Sequence, residues 1–392
     1  MKTLRTIIFL LLLLITASWG AQTTQGLQMV LPQFSNPFYD SFSRNFTGTV
    51  AAGRGHTGVA NLGDISGFSL NPAVNLPDSA KIIFDLNIKP GIAAEGYQTE
   101  ANYTSPNPLG LFAVGMGLSR SISAGVAYSV PKGIKLDDYS MFTNQGASLV
   151  QRFPSYYLHQ VTANIGYHRG PAHLGLNLHN QFHYVDDPIF LRSYDRIRDL
   201  KYAIRFQPGI LYEFSSFNVG LSATLPTKFD WDQKYVAYEM KLPLKASTGI
   251  SYNSSRYALS AEAEMEQFSK VDDAFDDRYT LKAGFEKYHG WLSYRLGYIY
   301  SSEVFSGKIM LPVDVNSEDN NPAWNDVPDS LIVKPNEQHF ATAGISYLHK
   351  DGAINIAFMH SFSPEARQTQ VNLSLSFYLS AFTRKRTLVA ND

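Results

Sequence analysis

Residues 371–379 read VNLSLSFYL. Val371, Leu373, Leu375, Phe377 and Leu379 fall on one face of an extended chain, and Asn372, Ser374, Ser376 and Tyr378 on the other. A strand alternates its side chains with a period of two, so this is one apolar and one polar face. FNVGLSATL at 217–225 repeats the pattern, with Phe217, Val219, Leu221, Ala223 and Leu225 opposite Asn218, Gly220, Ser222 and Thr224. WLSYRLGYIY at 291–300 sets Leu292, Tyr294, Leu296, Tyr298 and Tyr300 against Ser293, Arg295 and Gly297. A soluble sandwich or barrel would turn the apolar face inward, whereas an outer-membrane barrel turns it to lipid. Alternation alone does not separate the two.

The connections do. Strands are expected near 79–89, 109–118, 121–131, 157–168, 171–183, 201–214, 216–225, 242–252, 255–268, 277–288, 290–300, 337–348, 352–362 and 368–380. That is about 14, an even number, as a closed bacterial outer-membrane barrel requires. Every second link is very short: Ser119-Arg120, Arg169-Gly170, Ser215, Asn253-Ser254, His289 and Lys350-Asp351. The remaining links are longer, up to the stretch 301–336. Short turns on one rim and long loops on the other are the mark of an outer-membrane barrel with both termini in the periplasm. The expected fold is therefore all-β, a transmembrane β-barrel in the outer membrane of a Gram-negative bacterium.

The N-terminus agrees. Lys2 and Arg5 precede an apolar run from Ile7 to Ala17, and Ser18 and Gly20 suit a cut before Ala21. Residues 1–20 thus read as a secretory signal peptide, the run being short for a spanning helix. The chain has no Cys, which excludes disulfides, thiolate metal sites and a lipid anchor on Cys. Net charge is −1, with basic and acidic residues interspersed, so no nucleic-acid partner is expected.

A barrel of this width is not filled by its own strand side chains. The filler is expected in residues 21–78, which contain GRGHTGVANLGDISGFSLNPA at 53–73. This run has no strand or helix period and no GxxxxGK[ST] spacing, which argues against a phosphate loop. Small residues would let irregular backbone pack inside a polar lumen, where its exposure to lipid is avoided. The barrel then occupies 79–382, and a basic tail, 383–392, would be periplasmic.

With these residues in place, the chain resembles the FadL-like outer-membrane transporters of long-chain fatty acids and aromatic hydrocarbons. The match rests on the 53–73 stretch, on Asn71-Pro72-Ala73 as that family's hatch motif, and on the late strands in LPLKASTGISY, LKAGFEKY and FATAGISYLHKDGAINIAFMHSF. The resemblance implies a monomeric 14-stranded barrel with a small hatch gating passive diffusion of a hydrophobic small molecule. It also implies sideways exit into the outer-membrane lipid through a gap at a kinked strand. FadL-like chains usually end on an aromatic residue, whereas here a tail follows Phe382. A PorV-like component of a protein secretion system, binding a protein partner, is the alternative; a non-specific porin would not need a packed hatch.

Inside the lumen, Glu262, Glu264 and Glu266 share inward parity, as do Arg205, Lys245, Lys282, Glu286 and Arg295. They form either a salt-bridged wall or, at Arg205, Lys245 and Arg295, anchors for a ligand carboxylate. His173, His179 and His183 also point inward but lie about 7 Å or more apart along the chain, so no metal centre is expected. No GxSxG or comparable signature supports catalysis, and no cofactor is implied. Apolar residues in long links, among them Tyr139, Met141, Phe142, Leu149, Phe153, Met310, Trp324 and Val327, either cover the mouth or form a capture groove.

Overall fold

The computed structural model describes residues 44–75, 81–94, 109–134, 139–142, 148–151, 155–188, 196–231, 238–271, 275–302, 304, 307–309, 331–333, 337–362 and 366–378. The expected signal peptide, the basic tail, and Phe153, Met310, Trp324 and Val327 lie outside these residues, as do the side chains of Tyr139, Met141, Phe142 and Leu149.

Alternation becomes a wall of fourteen antiparallel strands. They are β1 (Lys81–Ala94), β2 (Leu109–Gly117), β3 (Ile122–Ile134), β4 (Ser155–Arg169), β5 (Ala172–Pro188), β6 (Arg196–Glu213) and β7 (Phe217–Thr224). The second half comprises β8 (Lys245–Asn253), β9 (Tyr257–Glu266), β10 (Arg278–His289), β11 (Leu292–Ser301), β12 (Gln338–His349), β13 (Gly352–Ser361) and β14 (Ala366–Tyr378). Each strand pairs with its sequence neighbour, and β14 returns to β1 with Tyr378 opposite Lys81, which closes the barrel. Closure pairs the strand edges with one another over most of the wall, as lipid requires of backbone.

Leu221, Leu281, Leu296, Ile354 and Leu375 are exposed on the outside, while Asn218, Ser222, Ser293, Asn372 and Ser374 are buried inside. Exposed Tyr212, Phe217, Tyr257, Trp291 and Tyr347 edge the short-turn rim, and Phe182, Tyr202, Tyr279 and Tyr298 the other. An apolar band between aromatic girdles is the surface of an outer-membrane barrel.

Strand ends differ by a few residues from the expectation. β5 and β6 pair on to Pro188 and Arg196, beyond the alternating part of their sequence. His289 is paired with Leu292, and the turn falls at Gly290, whose φ of 59° suits a residue without Cβ. The expected strand at 242–252 starts later, at Lys245, because Tyr238–Leu242 belongs to a separate hairpin with Thr227–Trp231. Further small hairpins join Tyr139–Phe142 to Ser148–Gln151 and Gly307–Ile309 to Leu331–Val333. All three stand on the long-loop rim.

Candidate functional site

Residues 44–75 occupy the lumen. They form a short helix, α1 (Thr49–Gly53), and 3-10 turns at Ile65–Ser69 and Pro72–Val74. α1 packs against β11 to β14, the Ile65–Ser69 turn against β1 and β2, and the Pro72–Val74 turn against β4 to β6. Two apolar clusters fix this plug: Phe46 and Ala52 with Ile299, Phe340, Ala357 and Met359, and Phe68, Ala73 and Val74 with Ile83, Leu111, Ala113, Ala127 and Leu211.

Asn71, Pro72 and Ala73 lie where the plug meets β5 and β6. Asn71 is fully buried; its Oδ1 accepts from Ala73 N at 3.0 Å and caps the 3-10 turn. Its Nδ2 donates to Val59 O at 2.7 Å and to Ile210 O at 3.2 Å, tying the plug to itself and to the wall. Pro72 O accepts from Asn164 Nδ2 at 3.1 Å.

Wall glycines make this close approach possible, a signal the sequence reading passed over. Gly175 faces Gly209, Gly220 faces Gly249, and Gly284 faces Gly297 in the register. A Cβ at Gly209 would run into Asn71 Oδ1, and one at Gly297 into Gly55 N. Glycine recurring at inward parity on successive strands could have located the plug's seat.

Wall carboxylates hold the plug as well. Asp85 accepts from Thr49 N at 2.6 Å, at the start of α1. Glu262 accepts from the consecutive amides of Gly58 and Val59, a backbone nest of the kind that binds anions. Glu286 pairs with Arg54 at 2.7 Å and with Arg295 at 2.6 Å. Glu264 pairs with Arg44 of the plug at 2.8 Å, and with Lys245 and Lys282 of the wall at 2.9 Å each.

The expected anchors therefore separate. Arg205 and Lys245 line one cavity of about 150 Å³ on the long-loop side of the plug. Arg205 Nε also donates to Leu225 O at 3.0 Å. Arg295 lines a recess of about 340 Å³ on the short-turn side, together with Arg54, Asp64 and Glu286. Inward parity fixes the face of a residue but not its depth, and depth divides this set. The histidines separate too. His173 pairs with Glu213 at 2.6 Å, His179 bonds Gln207 at 2.8 Å, and His183 bonds Tyr156 at 2.6 Å. No metal-ligating group forms among the described residues.

The long-loop cavity is electropositive. Arg44, Lys132, Arg205, Lys245 and Arg278 line it against Glu264 and Glu266, with Val59, Leu70, Leu158 and Phe268 as apolar lining. Such a surplus of positive charge in a cleft attracts anions.

β3 departs from the regular wall beside this cavity. Its pairing with β2 ends at Ser129, and its pairing with β4 skips Val130 and Pro131 before resuming at Lys132. Proline lacks a ladder donor and tends to occur at bulges. β2 begins at Leu109, opposite Leu86, while β1 and β3 both run on past it. The plug fills in there: Arg44 bridges Lys132, Asn45 N donates to Pro131 O at 2.9 Å, and Asn45 Nδ2 donates to Val130 O at 2.7 Å.

The molecule resembles solved outer-membrane channels in this architecture. The Pseudomonas putida toluene transporter TodX superposes with a TM-score of 0.61 at 12% identity, covering 86% of this chain and 99% of its own. A TodX variant described as a monoaromatic hydrocarbon channel gives 0.58 at 13% identity, over 84% and 98%. The fold is that of TodX. The resemblance to the FadL-like transporters holds at the level of fold. No protein-family model matches the chain, and no curated protein sequence matches it.

Proposed function

We propose that this chain carries hydrophobic small molecules, and among them amphiphiles with an anionic head, across the outer membrane by passive diffusion, with residues 44–75 as the hatch. The observation that carries this reading is the long-loop cavity, where five cations and two carboxylates surround a partly apolar floor formed in part by the plug itself. A hydrocarbon alone gives such a surface nothing to pair with; an acid with an apolar tail suits both parts of it. Arg205 and Lys245 are the proposed head-group anchors. Arg295 is left with the plug, on the far side.

The cavity's size bears on the ligand. About 150 Å³ is below the range of ordinary small-molecule sites, roughly 300–1,000 Å³. A long tail thus extends beyond this cavity, which suits a path that continues past the plug. The bulge at Val130-Pro131 beside the short β2 is the proposed lateral exit into lipid. A plug of this size is far smaller than a whole plug domain, which suits diffusion without energy coupling.

The test uses detergent-purified full-length protein titrated calorimetrically with octanoate, dodecanoate and dodecanol, alongside native mass spectrometry of the protein as isolated. Dodecanoate is expected to bind more tightly than dodecanol. Replacing both Arg205 and Lys245 by Gln should weaken dodecanoate about tenfold, the loss of one or two charge-assisted contacts. Equal affinity for acid and alcohol would remove the anionic head from the reading. Failure of both to bind, with a protein partner retained instead, would overturn transport.

A further inference from the structure

On β10 the side chains alternate between lumen and lipid, with Tyr279, Leu281, Ala283 and Phe285 on the outer face. Lys287 is the next residue of that face, and it is exposed. Its cross-strand partners are Tyr257 on β9 and Tyr294 on β11, both exposed. A lipid-facing lysine thus stands between two tyrosines, at the aromatic girdle of the short-turn rim. Arg256, exposed in the turn before β9, adds a second cation. Its carbonyl accepts from Tyr288 N at 2.8 Å, one residue from Lys287. No ion pair with Lys287 or Arg256 forms among the described residues.

A lysine on the lipid face is costly at mid-membrane and tolerated near the interface, where its stem lies on apolar surface and its ammonium reaches the head groups. Tyrosine suits the same depth, with its ring in the apolar layer and its hydroxyl among polar groups. We propose that Lys287, Arg256, Tyr257 and Tyr294 form a head-group site for a net-anionic phospholipid, on the outside of the wall at β9 to β11. Phosphodiester oxygens accept from all four groups: from Lys287 as a point charge, from Arg256 through its planar fork, and from the phenols as neutral donors. Two cations without an acid favour a lipid of net negative charge over a zwitterionic one, whose own ammonium they repel. Leu259 and Leu296, exposed two residues deeper on β9 and β11, meet the acyl chains. The ring pairs Phe217–Tyr252 at 5.0 Å and Tyr252–Tyr257 at 5.8 Å extend this surface along the rim. Short turns face the periplasm, so the lipid belongs to the periplasmic leaflet. The inference is independent of the transport reading, since the site lies on the other face of the wall from the lumen.

The test is native mass spectrometry of the full-length barrel, in detergent containing equal amounts of phosphatidylglycerol and phosphatidylethanolamine with the same acyl chains. Heat-modifiable gel mobility confirms assembly of every variant. Phosphatidylglycerol is expected to stay bound in about fivefold excess, the scale of one basic residue at an anionic surface. Lys287→Gln with Arg256→Gln should bring the two lipids to parity. Arg120→Gln with Arg169→Gln makes the same change of charge on the opposite side of the fourteen-strand ring, and should leave the excess as it was. Tyr257→Phe with Tyr294→Phe keeps the rings, removes the hydroxyls and should lower the excess partway. If the first pair fails to assemble, Lys287→Met, which suits a lipid-facing position, serves instead and should also lower the excess.

Equal retention of the two lipids by the parent overturns the site. So does an equal loss in the Arg120 and Arg169 pair, which would assign the preference to the charge of the whole rim. Inorganic phosphate in excess should leave the lipid bound; phosphate adducts in its place would assign the two cations to the free anion and overturn the lipid.

Discussion

At the scale of single residues, Asn71 concentrates the plug's fastening into one amide. It caps the Pro72–Val74 turn and satisfies carbonyls of both plug and wall. Asn71→Leu removes an N-cap, worth roughly 0.5–2 kcal/mol. It also leaves two carbonyls without their side-chain donor, at about 1–3 kcal/mol each where no water replaces it. The loss falls on the plug, since the strand ladders remain. The expected outcome is an assembled barrel, by gel mobility, with faster labelling by a water-soluble maleimide of a Cys placed at Thr49, a buried plug position in a chain that has no other Cys. Gly209→Ala should behave alike, because its Cβ would collide with Asn71 Oδ1. Labelling unchanged in both variants would show that this contact does not hold the plug.

At the scale of elements, β3 is the strand that breaks the rule of the wall. Its register skips Val130 and Pro131, and the plug instead of β2 meets it there. Pro131→Val returns a backbone donor and a residue that favours strands, so β3 can pair onward toward β2. Uptake of labelled dodecanoate into proteoliposomes is expected to fall severalfold, with binding in detergent changed less than about threefold, as for a change remote from the head-group anchors. Uptake that survives intact would place the exit elsewhere. The polar register of β5 makes a contrasting element: His173, His179 and His183 share a face but are each engaged by a different neighbour. Shared parity is not a shared site.

At the scale of the molecule, wall and plug are separable in their hydrogen bonding. Each barrel strand finds its ladder partners in its two neighbours, while the plug is held mainly by side chains and small apolar clusters, with a backbone bridge only at Arg44 and Lys132 among the described residues. Deleting residues 44–75 should therefore leave a barrel that assembles and forms an open pore in planar bilayers. The full chain should conduct far less under the same conditions. Equal conductance would mean that the lumen is occluded by the loops, and that the plug is not the barrier.

Much of this was legible in the chain. Fourteen strands, their facing and the sorting of short and long links follow from local rules, because lipid and backbone chemistry impose a period of two and a closed ladder. VNLSLSFYL needs no partner to declare which face meets lipid. The position of the plug was readable only in outline, from a run of small residues with no period and from a resemblance. Which lumen residues act together was not readable, because depth along a strand and the path of the plug depend on contacts between distant segments. Arg295 and Lys245 have the same parity, yet the plug divides them, and Arg44 matters because the chain brings it to Glu264, 220 positions away. The sequence by itself determined a transmembrane barrel and its faces, since those are properties of each strand in its solvent. Only the tertiary structure decided where residues 44–75 sit in the lumen, which charges share a cavity and which one belongs to the plug, since those are set by packing across the barrel.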